Sequence, residues 1–124
     1  YMPLAGGEKV VNAATSIGGF SFFGTNRPAP LGGNTCSFNL GVAKSYAMPM
    51  FCVASSCSVL VGGGLPPSPV AGIVVIDTGG GTTRQVPFVI GAPNPRNSAI
   101  EGSRINPLID VPRRRTYWYQ EVER

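Results

Sequence analysis

GGGLPPSPVAG, running from Gly62 to Gly72, decides how this chain is read. Three prolines set between glycine clusters cannot carry a continuous hydrogen-bonded ladder, because proline has no backbone N–H to donate. On either side lie SVLV (Ser58 to Val61) and GIVVI (Gly72 to Ile76), two runs with the length and β-branched content of strands. The segment is therefore expected to cross from one strand to another, and the expected class is all-β.

Working outward, EKVVNAATSIGGFSFFGTN (Glu8 to Asn26) reads as two strands, at Val10-Val11 and Phe20 to Phe23. Gly18-Gly19 supplies the tight turn between them. RPAPLGG (Arg27 to Gly33) reads as loop. KSYAMPMF, from Lys44, carries Pro49 and is expected to be an edge or interrupted strand. RQVPFVI (Arg84 to Ile90) is a further strand after the turn DTGGGTT (Asp77 to Thr83), and YWYQE at the C-terminal end reads as a last one.

The composition agrees with this reading. Of 124 residues 43% are hydrophobic and only 13% charged, which suits one modest core better than general disorder. Seventeen glycines and 12 prolines fit short strands and turns and argue against a helical bundle. The chain starts at Tyr1 without a secretion signal and is expected to be a mature or partial chain. No run approaches the ~18 apolar residues of a membrane helix.

Chemistry-bearing patterns are scarce. Histidine is absent, which removes histidine-based triads and the common zinc sets. The glycine-rich turn lacks the Gly-Lys-Ser/Thr ending of a phosphate loop, and Asp77 stands apart from the spaced ligands of a calcium loop. Glu8, Asp77, Glu101, Asp110, Glu121 and Glu123 show no spacing that selects an acid and a base; Glu121 and Glu123 read as a solvated charged end. Met48 and Met50 read as packing residues rather than a soft-metal site. The expectation is a protein that is not an enzyme and holds no cofactor in this segment.

Cys36, Cys52 and Cys57 are candidates for one structural disulfide, with free or buried thiols as the alternative; the pairing stays open, and one thiol is always left over. CVASSC has four intervening residues and is not a reactive dithiol motif. The strongest raw contact patch combines Arg113, Arg114 and Arg115 with Tyr117, Trp118 and Tyr119. Fork-shaped donors beside broad rings make good interface anchors. The bland alternative is a final strand with Tyr117 and Tyr119 on one face, Trp118 on the other, and arginines solvating its entry. The net charge of +4 is moderate and no repeated nucleic-acid pattern occurs, so nucleic acid is not an expected partner.

Four segments in order, Gly7 to Asn26, Cys36 to Tyr46 (CSFNLGVAKSY), Gly62 to Gly72 and Thr116 to Gln120 (TYWYQ), resemble the far C-terminal region of the PilY/PilC family of type IV pilus tip-associated biogenesis factors and adhesins. The resemblance spans Gly7 to Glu121. It implies a partial modified β-propeller, with residues 1–124 as the C-terminal blade or blades of a larger propeller domain. The implied role is pilus biogenesis, cell adhesion and twitching motility at the tip of the fimbrium, with the protein secreted, on the cell surface or associated with the outer membrane. Implied partners are the rest of the propeller, minor pilins and a host or abiotic surface. The family's calcium loop has no match in these residues, so calcium is expected only in the remaining portion. A different expectation, from the same turns and aromatics, is a secreted β-rich structural or capsid-like interaction module; stable self-assembly would favour it.

Overall fold

The computed structural model describes residues 2–30, 40–51 and 55–108. Among these residues eight strands run in chain order: β1 Lys9–Val10, β2 Thr15–Ile17, β3 Phe20–Arg27, β4 Val42–Pro49, β5 Ser56–Val59, β6 Val70–Asp77, β7 Thr83–Ile90 and β8 Gly102–Arg104. All pairings are antiparallel. The all-β class is as expected, and no helix among the described residues is long and apolar enough to cross a membrane.

The first sheet has the order β1-β3-β4-β5, with β2 sharing the β1 side of β3, and the second has the order β6-β7-β8. The two sheets do not close into a propeller. Their apolar faces meet instead: Phe22 and Ala47 from the first sheet join Val89 from the second, with Ala92 and Ile105 completing a buried cluster that Ile17, Phe20 and Ala71 border. Alternation explains the choice, since Phe22 pairs with Ala47 on one face of the β3-β4 ladder while Phe23 pairs with Tyr46 on the other. Ser45, fully buried, donates its hydroxyl to the Gly91 carbonyl and ties β4 to the end of β7.

The proline segment crosses between the sheets. Its carbonyls at Pro66 and Pro67 accept from the Asn12 amide at 3.4 and 3.0 Å, and the Pro69 carbonyl accepts from the Thr15 hydroxyl at 2.9 Å. Asn12 also accepts from the Gly24 N–H at 2.8 Å, so this one side chain breaks the β1-β2 edge and anchors the crossing. Gly24 is required there: a Cβ on it would lie 2.5 Å from Pro66 Cγ.

Two strand expectations shift. The KSYAMPMF strand lies inside the first sheet, between β3 and β5, rather than at an edge. Pro49 is tolerated because the β4-β5 ladder ends at Ala47↔Ser56, two residues earlier. The strand expected at SVLV is displaced two residues towards the N-terminus: β5 pairs over Ser56–Val59, and Val61 lies beyond it, donating its N–H to Asn97 O at 2.9 Å.

Candidate functional site

Two features stand out from the folded surface, a sealed ion cluster and an exposed apolar ribbon. The cluster centres on Glu8, whose side chain is 1% exposed. Oε1 accepts from the Thr25 hydroxyl at 2.6 Å and the Tyr46 hydroxyl at 2.7 Å, and Oε2 accepts from Lys44 Nζ at 3.0 Å. The β3-β4 register sets Thr25 directly opposite Lys44, and β1 follows Glu8 alongside them. Phe23 stacks on Tyr46 with ring centroids 5.3 Å apart. Burial pushes the Glu8 carboxyl up, but the bonds from Thr25, Tyr46 and Lys44 outweigh it and hold the group at about 2 instead of 4.5. Glu8 raises Lys44 in turn, and burial together with the Glu8 bond raises Tyr46. A carboxylate held this firmly in its ionised form is a poor proton acceptor, so the cluster fits a structural clasp rather than a general base.

The ribbon is the distal half of the β6-β7 hairpin. Ile73, Val74, Val75 and Ile76 are 61, 42, 63 and 44% exposed, so both faces of β6 present apolar β-branched side chains to solvent. Its tip, Gly79-Gly80-Gly81, has all three residues at positive φ, which only glycine adopts freely. Asp77 accepts from the Gly79 N–H at 2.8 Å and Thr78 donates to the Thr82 carbonyl at 2.9 Å, so the turn is held by its own side chains. This matches the turn reading of DTGGGTT.

A cleft of about 260 Å³ opens between the sheets, lined by Phe20, Phe22, Ala47 and Ile105 with Ser56 and Arg104 among its polar groups. Among the described residues neither carboxylate nor thiol lines it. Among the described residues no three metal-ligating side chains gather.

No family model, curated protein or solved structure matches the chain.

Of the residues singled out in the sequence, Cys57 lies on β5 opposite Tyr46 as an exposed free thiol. Cys36 and Cys52 lie outside the described residues, as do Arg113, Arg114, Arg115, Tyr117, Trp118, Tyr119, Asp110, Glu121 and Glu123. Glu101, half-buried, sits 3.8 Å from the exposed Arg96. Met48 is half-buried in β4, whereas Met50 is 60% exposed and is not a packing residue. GIVVI reads as a strand in the sequence, with no function attached to it. The available signal was its four consecutive large apolar residues, Ile73 to Ile76, which exceed what a strand with one solvated face needs.

Proposed function

We propose that this chain is a non-enzymatic structural module that assembles with other β structure through the β6-β7 ribbon. One observation carries the reading: β6 is an eight-residue strand at a sheet edge, apolar on both faces and mostly exposed. A two-stranded ribbon is marginally stable by itself in water, and exposed apolar edges are what strand-adding interfaces use. The inward-bonded Glu8 cluster supports the same reading, since the most perturbed ionisable group serves the fold. A structural or capsid-like module draws its support from the two sheets packing on each other around a shared buried cluster. A place at a type IV pilus tip, with β6 continuing into the rest of a propeller or meeting minor pilins, draws its support from the ordered segments that resemble the PilY/PilC family.

Hydrogen exchange tests the assembly role. The β6 amides that do not bond to β7, those of Ala71, Ile73 and Val75, should exchange freely in dilute isolated chain and become protected in the native assembly. Equal exchange in both states would remove the ribbon from the interface.

A further inference from the structure

Among the described residues, the four sheet edges differ in how they are guarded. The β1-β2 edge is two short pieces broken at Asn12, β8 has three residues and β5 has four. Short or broken edges resist pairing with other chains. β6 alone offers eight residues with neither lysine nor proline, and its one charge, Asp77, is at the end.

The polarity of that edge follows from β7. Pro87, opposite Ile73, gives its carbonyl to the Ile105 N–H at 3.0 Å on the β8 side. A residue's N–H and C=O point the same way in an antiparallel ladder, so Pro87 and Ile73 form a non-hydrogen-bonded pair. Ile73, with Ala71 and Val75, therefore aims its backbone N–H and C=O outward from the sheet.

Resting on the assembly-module reading, we infer that β6 pairs antiparallel with β6 of a second copy of this chain across a dyad at Ile73. A twofold axis normal to the sheet preserves faces, so the residue on it must meet its own copy. With Ile73 there, Gly72 meets Val74, Ala71 meets Val75 and Val70 meets Ile76 of the other copy. Every such pair is uncharged and apolar, and the outward groups of Ala71, Ile73 and Val75 make about six backbone hydrogen bonds. Moving the dyad to Val74 would set the Asp77 carboxylate beside Ala71, which borders the core. The Ile73 register leaves both Asp77 side chains beyond the paired apolar residues, at opposite ends. A single strand edge covers less than the ~1,200 Å² of a standard interface, so the dimer is reversible and concentration-dependent.

Sedimentation velocity on the full 124-residue chain tests this, with Ile73→Lys and Ile73→Asp measured separately and mixed. Ile73 is 61% exposed, and unchanged circular dichroism and melting would verify that both variants fold. The wild-type mass should double with rising concentration and each variant alone should stay monomeric, because like charges would oppose each other at the dyad. The equimolar mixture should recover a dimer by pairing opposite charges, which a merely structural effect would not do. A wild-type chain that stays monomeric, a dimer that survives either substitution, or a mixture that stays monomeric would each overturn the assignment. If the wild type is monomeric while the amides of Ala71, Ile73 and Val75 are still protected in the native assembly, self-pairing fails and the module reading stands with a different strand as partner.

Discussion

Glu8 shows how strongly one side chain can depend on residues far along the chain. Its partners Thr25, Lys44 and Tyr46 lie 17, 36 and 38 positions away, and only the β3-β4 register gathers them. That is why six scattered carboxylates read alike in the sequence: none has a local spacing that reveals a partner. The folded pKa of Glu8, about 2, is below its ordinary 4.5. Its contribution to stability is therefore fully present above about pH 4.5 and is lost as pH falls towards 2, on the order of 3 kcal/mol in all. Denaturant melts at pH 7 and pH 3 should show the first part of this loss in the wild type, about 1–2 kcal/mol. In Glu8→Gln, stability at pH 7 should fall by about 2 kcal/mol because Lys44 loses its counter-charge, and the difference between the two pH values should shrink. Lys44 and Tyr46 are raised, so their contribution persists through neutral pH and disappears only in alkali.

Among the elements, the crossing from β5 to β6 was the most legible, because glycine and proline act on their own backbone and need no distant partner. Its docking was not legible: Asn12, Thr15 and Gly24 carry no mark of a proline strap in sequence. Pro49 misled for a related reason. Proline marks an edge when its missing N–H would fall in a ladder, and here the ladder with β5 stops short of it. The contact at Gly24 makes a sharp prediction. Gly24→Ala would drive a methyl into Pro66 Cγ and Asn12 Nδ2, at 2.5 and 2.8 Å, and should cost about 1–3 kcal/mol, the range for overpacking. Replacing Pro66 by Gly in the same chain should recover part of that loss in urea melts, whereas strict additivity would show that the strap is not what Gly24 accommodates.

For the whole molecule, the all-β class followed from alternation and punctuation, while the arrangement of sheets did not, because which faces meet depends on residues from both halves of the chain. The buried cluster draws Phe22 and Ala47 from one sheet and Val89 from the other, with Ile105 bridging. Truncation at its centre should therefore weaken both sheets together. Phe22→Ala should cost about 3–5 kcal/mol, read as one cooperative thermal transition by both far-ultraviolet dichroism and aromatic fluorescence; two separated transitions would mean that the sheets fold independently. The three glycines at the hairpin tip have a practical use. A Cβ on any of them would meet nothing within 4 Å, so a short peptide tag or fluorophore inserted between Gly80 and Gly81 should leave the melting temperature nearly unchanged. Such a label would stand clear of the body of the protein and give a distance ruler from which the geometry of any assembly could be measured by energy transfer.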